Sequence, residues 1–388
     1  MHLIADEKVF FRSSDPQDLY CYTPWLDRGF DGRLISSFDI AGAALKNESG
    51  PKSEKGDYGG NQMRIFVSDD DGANWRETGR LPMLHARVFA AGRCLYALGH
   101  GGRLLISKSI DNGETWSDPV TLDPEMVWHQ SACGYEKVDG KIWITMEKVP
   151  CTDHWQGGDP VLMCADENSD LTLAENWKFS NLLKFGDIAP HYAAMAPGGK
   201  EGYAYLESNV VFQRDVTSEF YGRFLIFLRS NRCLFPDTAH ILTGGENADG
   251  SLYLAPVSDK LFYIPFPGGN MKFQMIYDEP SELYWLIASH CVKSTFSKPD
   301  ALEYEVRRYS ERNRLELYYS RNCFDWNCAG VVACGRNSLE SRHYASLLPV
   351  GNDLLVLSRS GDNNAKNSHD TDLITIHRIT DFRDLVLI

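Results

Sequence analysis

Short apolar runs recur along the chain, and each begins directly after a turn residue and a polar residue. Five of them follow Gly or Asn, at residues 32–35, 92–96, 140–143, 222–226 and 352–356, and a sixth at 282–286 has Glu in the turn position. A turn followed by β-branched and aromatic residues is typical of a β-hairpin. Amphipathic helical patterns do not alternate with these runs, which argues against an α/β barrel. The pattern predicts an all-β domain with six hairpin starts.

Two stretches, residues 68–75 and 109–116, share the pattern S-x-D-x-G-x-x-W, and each follows a short apolar run. The Asp can accept hydrogen bonds from the turn backbone, the Gly can take a positive φ, and the Trp can pack under the hairpin. Their spacing indicates a repeated unit of about four strands. Degenerate copies follow at residues 168–177 and 320–326.

This motif is the Asp box, and it resembles the repeats of sialidase-like β-propellers. Four further stretches, residues 128–147, 206–229, 267–278 and 368–383, are similar to one branch of these proteins, the α-L-rhamnosidases, rhamnose–glucuronate lyases and their gut-bacterial relatives. The resemblance implies a single sialidase-like β-propeller over residues 1–388, with seven blades and with the N- and C-terminal strands closing one blade. It also implies an exo-acting glycoside hydrolase or lyase, with its site at the mouth of the central channel.

One position departs from that branch. Phe38 stands where the rhamnosidases carry a catalytic His, and no His lies between His2 and His85. No F-R-I-P stretch near the N-terminus places the arginine triad of a sialidase. Three functions therefore stay open: an enzyme for the non-reducing end of an acidic, uronate-containing oligosaccharide, an exo-sialidase, and a non-catalytic carbohydrate-binding propeller. A sialidase would need three Arg converging on one carboxylate above a Tyr–Glu pair.

Four residues are the catalytic candidates. His129 matches a pattern that places it at the start of an inner strand, and a His exchanges protons near neutral pH. Arg229 ends an apolar strand and could bind a carboxylate in bidentate geometry. His343 and Tyr344 follow Arg342, so that Arg could neutralise a uronate while His or Tyr moves the proton in a β-elimination.

Further residues are candidates for substrate binding because they carry polar groups near predicted inner strands. They are Arg342, Arg359, Lys272, Asn209, Glu147, His85 and Arg87. His85 could also replace the missing early His. The hard oxygen ligands Asp39, Glu207 and Asp370 would suit a structural Ca²⁺, although no cofactor is required by any motif.

The net charge of −14 argues against nucleic acid and anionic membranes as partners, while a local Arg cluster could still bind an acidic oligosaccharide. The N-terminus lacks a basic segment followed by an apolar one, and no apolar run approaches a membrane span. The ten Cys include no C-x-x-C pair, which favours reduced thiols. These features predict a cytoplasmic protein, and they leave its oligomeric state open.

Overall fold

The computed structural model describes residues 3–149, 158–184, 204–231, 237–258, 263–292 and 311–387. The strands in these ranges form six antiparallel meanders, each a blade of a propeller. The first blade comprises β2 (Tyr20–Arg28), β3 (Leu34–Ala41), β4 (Asn61–Ser68) and β5 (Arg76–Leu81), and the second comprises β6 (Leu84–Ala91), β7 (Cys94–His100), β8 (Gly102–Ser109) and β9 (Val120–His129). The third comprises β10 (Tyr135–Val138), β11 (Lys141–Lys148), β12 (Asp159–Asp166) and β13 (Lys178–Phe179).

The remaining blades follow the same order. The fourth comprises β14 (Ala204–Phe212), β15 (Phe224–Asn231), β16 (Thr238–Glu246) and β17 (Leu252–Pro256), with β18 (Tyr263–Pro265) beside β16. The fifth comprises β19 (Gln274–Asp278), β20 (Leu283–Ser289), β21 (Arg314–Ser320) and β22 (Asn327–Cys334). The sixth comprises β23 (Arg342–Val350), β24 (Asp353–Ser360), β25 (Leu373–Ile379) and the N-terminal strand β1 (Asp6–Arg12).

Each of the six hairpin starts in the sequence is the turn into the second strand of a blade. The blades close into a ring: β2 contacts both β6 and β23, β14 contacts β10 and β19, β19 contacts β23, and β9 pairs with β11. The expectation of seven blades is therefore corrected to six in the described part of the chain. The reason is that β1 pairs with β25 and completes the sixth blade instead of helping to build a seventh.

The Asp-containing turns join the third and fourth strands at the outer edge of blades. Asp111 accepts hydrogen bonds from Ser109 Oγ (2.8 Å) and the Thr115 amide (2.9 Å), and Gly113 has φ +90. The turn at residues 68–75 repeats these contacts, and in the fifth blade Asn322 performs the Asp role. These turns shape the scaffold away from the axis.

Apolar side chains of adjacent blades meet between the sheets and form the core. One cluster joins Trp25 and Ile35 of the first blade to Val88 and Leu95 of the second, all at most 2% exposed. Burying each aliphatic side chain stabilises the fold by roughly 1.5–3 kcal/mol. No helix in the described residues is both long and apolar enough to cross a bilayer.

Candidate active site

Four innermost strands, β2, β6, β14 and β23, share one irregularity, an extra residue that interrupts pairing with the second strand of the blade. In β6, β14 and β23 the bulge holds a non-glycine residue in the left-handed region: His85 (φ 54), Glu207 (φ 52) and Tyr344 (φ 52). Such a conformation costs about 1–3 kcal/mol and concentrates at functional sites. The second, fourth and sixth blades therefore each carry a polar residue in a strained, left-handed bulge of the innermost strand.

Arg229 links two of these side chains across the ring. Its Nη1 donates to Glu207 Oε2 (3.0 Å) and to Tyr344 Oη (2.7 Å), while its Nε donates to the Asn270 carbonyl (2.9 Å). Burial raises the pKa of Glu207, but Arg229 and a hydrogen bond from Tyr344 outweigh it and leave the pKa below its usual value. Burial raises the pKa of Tyr344. The resting pair is thus a neutral phenol donating to an ionised carboxylate.

Two more guanidinium groups surround the same phenol. The Cζ atoms of Arg312, Arg359 and Arg229 lie 5.4, 5.2 and 6.0 Å from the ring centroid of Tyr344. Burial lowers the pKa of Arg312 to about 10, and the neighbouring positive charges of Arg359 and Arg229 act in the same direction. Within the described ranges, neither Arg312 nor Arg359 forms an ion pair with a carboxylate. The cluster therefore carries positive charge that a bound anion would neutralise.

His343 holds Arg312 in place. Its Nδ1 lies 3.0 Å from Arg312 Nη1, and a guanidinium can only donate, so Nδ1 is the acceptor. Burial, followed by the charge of Arg312, holds the pKa of His343 well below its usual value. His343 is therefore a neutral positioning residue, and its Nδ1 is unavailable to accept a substrate proton while it binds Arg312.

A second cluster contains three histidines, His85, His100 and His129, whose rings lie 4.8–5.7 Å apart. His85 Nδ1 lies 2.8 Å from Thr23 Oγ1 and 3.3 Å from Asp39 Oδ1, and its Nε2 lies 3.9 Å from Asp57 Oδ2. Burial lowers the pKa of His85, but Asp39 outweighs it and the net shift is upward. His129 has its ring 5.3 Å from that of His85, and burial together with the His85 charge lowers its pKa to about 3. The pKa is therefore raised for His85 and lowered for His129.

The two clusters are connected through Tyr22. The Cζ atom of Arg359 lies 4.1 Å from the centroid of the Tyr22 ring, and that ring lies 6.2 Å from the ring of His85. Tyr22 donates to Asp370 Oδ1 (2.8 Å). A continuous series of contacts between polar side chains therefore runs from His85 to Tyr344.

Two sequence predictions need correction. His129 ends β9, the fourth strand of its blade, instead of starting an inner strand. The contiguous set of Arg342, His343 and Tyr344 is divided, because Arg342 donates twice to Glu7 (2.7 Å each) on strand β1. Regular alternation would place Arg342 and Tyr344 on the same face of β23, but the bulge with left-handed Tyr344 breaks this alternation.

Four other binding candidates, Lys272, Asn209, Glu147 and Arg87, are at most 1% exposed. Their partners are the Ala345 carbonyl for Lys272 (3.0 Å), the Gly134 amide for Asn209 (3.0 Å), Gln130 and Ser208 for Glu147 (2.8 Å each), and Gln130 for Arg87. These contacts connect neighbouring blades.

Phe38 belongs to the core and not to the site. It is 1% exposed and packs against Phe11 and Phe66 at 4.9 and 5.5 Å between ring centroids. Among the described residues no group of three or more His, Cys, Asp or Glu could hold a metal ion. Asp39, Glu207 and Asp370, considered for Ca²⁺, each serve a different partner.

Three residues of the site were missed by the sequence analysis: Arg312, Tyr22 and Asp57. Arg312 stands in a run with four arginines at residues 307–314, and nothing in that run singles it out. Arg229 and Arg359 occupy equivalent positions opposite the bulge on the second strands of their blades, and none of the three missed residues shares that position.

No family model matches the sequence, and no curated protein matches it. Solved structures do match. A protein of unknown function from Dyadobacter fermentans has a TM-score of 0.58 at 13% identity over 97% of this chain and 98% of its own. Trypanosoma rangeli sialidase in complex with sialic acid has a TM-score of 0.60 at 14% identity, covering 99% of this chain and 60% of that one. A mutant of NanB sialidase from Streptococcus pneumoniae has a TM-score of 0.59 at 11% identity, covering 97% and 71%.

The chain thus spans 60% of the length of the Trypanosoma protein that it matches. Identities of 10–14% establish a common fold and not a common activity. The matches support no particular relation to the rhamnosidase and lyase branch. Together with the six meanders and their ring closure, they lead to one conclusion: the chain has the all-β fold of a sialidase-like propeller, a fold that glycosidases use.

Proposed function

We propose that this protein is an exo-glycosidase that releases a terminal sugar bearing a carboxylate on its anomeric carbon, as in sialic acid. One observation carries the proposal: three guanidinium groups surround the ring of Tyr344, whose hydroxyl is hydrogen-bonded to Glu207 and Arg229. This arrangement supports a sialidase, because three Arg lie around a Tyr that is hydrogen-bonded to a Glu. The sialidases among the structural neighbours add support at the level of the fold.

The arginines define the substrate class. Arg312 and Arg359 are 7% and 1% exposed, and burying a cation without a counter-ion is costly. A planar carboxylate can accept paired N–H donors from guanidinium groups. A carboxylated sugar would therefore supply the missing negative charge.

The position of the nucleophile favours sialic acid over a uronate. The groups that would hold the carboxylate lie beside Tyr344 itself, so the carboxylate and the reacting carbon should be neighbours. In sialic acid the carboxylate is attached to the anomeric carbon, whereas in a uronate it lies on the far side of the ring oxygen. A neutral phenol also avoids the repulsion that a carboxylate nucleophile would meet there.

In the proposed reaction, Tyr344 Oη attacks the anomeric carbon and its proton passes to Glu207 as the bond to the leaving oxygen breaks. The three guanidinium groups hold the substrate carboxylate throughout. The leaving oxygen takes a proton from an acid–base group of the site. Water then attacks the glycosyl–tyrosine intermediate and gives a proton to the same group, while Glu207 returns its proton to Tyr344. The reaction thus proceeds in two steps through a covalent bond between the sugar and Tyr344, and water does not attack the glycoside directly.

A substrate panel tests the proposal. The wild type is incubated with an aryl α-sialoside, an aryl β-glucuronide and a rhamnosyl-glucuronate disaccharide, and both released aryl alcohol and unsaturated uronate are recorded. We expect turnover of the sialoside with saturated product, and a loss in Tyr344→Phe on the order of 10³-fold in kcat. Exclusive turnover of a uronate substrate, or an unsaturated product, would contradict the proposal.

A further inference from the structure

The leaving-group oxygen needs a proton, and the cluster of His85, His100 and His129 contains a group suited to supply it. His85 occupies the third of the strained inner-strand bulges, whose other two members are Glu207 and Tyr344. Asp39 Oδ1 accepts from the His85 amide (3.2 Å) and lies 3.3 Å from its Nδ1. Asp39 Oδ2 accepts from Asn61 Nδ2 (2.5 Å), so the carboxylate is fixed on both sides.

We infer that His85, supported by Asp39, is the general acid–base residue that protonates the leaving oxygen in the reaction proposed above, on which this inference rests. The contacts assign the tautomer. Asp39 and Thr23 occupy Nδ1, so the second proton of the imidazolium is on Nε2, the nitrogen that faces Asp57 at 3.9 Å. The His85 side chain is 7% exposed, and Asp57 beside its Nε2 is 40% exposed, so this nitrogen lies next to an accessible carboxylate.

The proton and electrons balance in both steps. His85 Nε2 gives its proton to the glycosidic oxygen, which takes the electron pair of the breaking C–O bond, while Tyr344 Oη bonds to the anomeric carbon. In the second step the neutral Nε2 takes a proton from the attacking water, and the bond to Tyr344 breaks. His85 is imidazolium again at the end of the cycle.

The groups around His85 favour its charged form, whereas the surroundings of His100 and His129 favour the neutral form. The titratable and charged groups that face it are Asp39, Asp57, Tyr22, His100, His129 and Arg359. His100 and His129 have lowered pKa values because of burial, so both are neutral at pH 7. The two carboxylates outweigh the burial and the charge of Arg359, and the pKa of His85 is raised. An acid with a pKa near the working pH is efficient.

Two sialosides whose leaving groups differ in basicity test the assignment of His85 as the acid, because only the more basic leaving group needs a proton. His85→Asn is the preferred variant, because Asn tolerates a positive φ. We expect kcat/KM for an alkyl sialoside to fall on the order of 10²–10⁴-fold, the usual contribution of general acid catalysis, while that for a nitrophenyl sialoside falls far less. His100→Gln, a buried neighbour without an assigned catalytic role, should leave the ratio of the two substrates unchanged.

The outcomes separate the two proposals. Equal losses on both substrates in His85→Asn, or no loss on the alkyl substrate, would overturn the assignment of the acid alone. The same would follow if Asp57→Asn, and not His85→Asn, showed the selective loss for the alkyl substrate. A wild type that hydrolyses neither sialoside would overturn both the acid and the proposed function.

Discussion

At the scale of the residue, Arg312 and Arg342 are a matched pair of buried or half-buried guanidinium groups with opposite expected roles. Arg312 lies against Tyr344 without a carboxylate partner in the described ranges, whereas Arg342 is paired with Glu7. Arg312→Gln should lower kcat/KM for a sialoside on the order of 10²–10³-fold, because a buried charge pair with the substrate is worth about 2–5 kcal/mol. Arg342→Gln should leave kcat/KM for the same sialoside within about threefold of the wild-type value. Steady-state kinetics of both variants give the comparison, and a larger loss in Arg342→Gln would contradict the site.

The sequence proposed Arg229, Arg359, His343 and Tyr344 as candidates, since charged or aromatic residues at the ends of apolar strands are visible without a structure, and the structure brings the four together. It assigned His343 a role in proton transfer because of its neighbour in sequence. The actual partner, Arg312, lies 31 residues away in the chain, at 3.0 Å in space. Long-range pairs of this kind depend on how the blades close and are not encoded in local spacing.

At the scale of the element, the turn at Ser109–Trp116 is expected to stabilise its blade without affecting catalysis. Asp111→Ala removes acceptors for Ser109 and the Thr115 amide, and should lower the free energy of unfolding by about 1–2 kcal/mol. Asp111→Asn is the control, because Asn322 accepts the equivalent bonds in the fifth blade. Urea unfolding measures both variants, and a change in kcat/KM without a change in stability would contradict a purely structural role.

The sequence predicted the positions of the β-hairpins better than any other feature of the structure. All six hairpin starts lie between the first and second strands of blades, because a turn residue before an apolar run is a local signal. The bulges in β6, β14 and β23 left no such signal. Left-handed His85, Glu207 and Tyr344 are neither Gly nor Asn, the residues by which a positive φ is usually recognised.

At the scale of the whole molecule, strand β1 closes the ring by pairing with β25. Six register pairs join them, and Glu7 binds Arg342. Deleting residues 1–12 should lower the free energy of unfolding by about 3–6 kcal/mol, taking ~0.5–1 kcal/mol for each lost pair. Thermal unfolding with an unchanged midpoint would show that the ring does not depend on this closure.

Acid should destabilise the whole molecule through its buried histidines. Burial lowers the pKa of His240 to about 3, and that of His377 to about 4. Because the folded-state pKa is below the unfolded value, unfolded chains bind the extra proton, and stability is lost as the pH falls from about 6.5 towards 3. His240→Gln should reduce the loss between about pH 6.5 and 5 by roughly 2 kcal/mol. Urea unfolding at both pH values measures it, and an unchanged slope would contradict a neutral buried His240.

The central claim is that Tyr344 forms a bond to the anomeric carbon of a carboxylated sugar. A 2,3-difluorosialic acid tests it directly, since fluoride leaves without a proton from the enzyme and the second fluorine slows hydrolysis of the intermediate. Intact-mass and peptide mass spectrometry should locate one glycosyl adduct on Tyr344 in the wild type and none in Tyr344→Phe. An adduct on another residue, or no adduct on a wild type that turns over sialosides, would contradict the account.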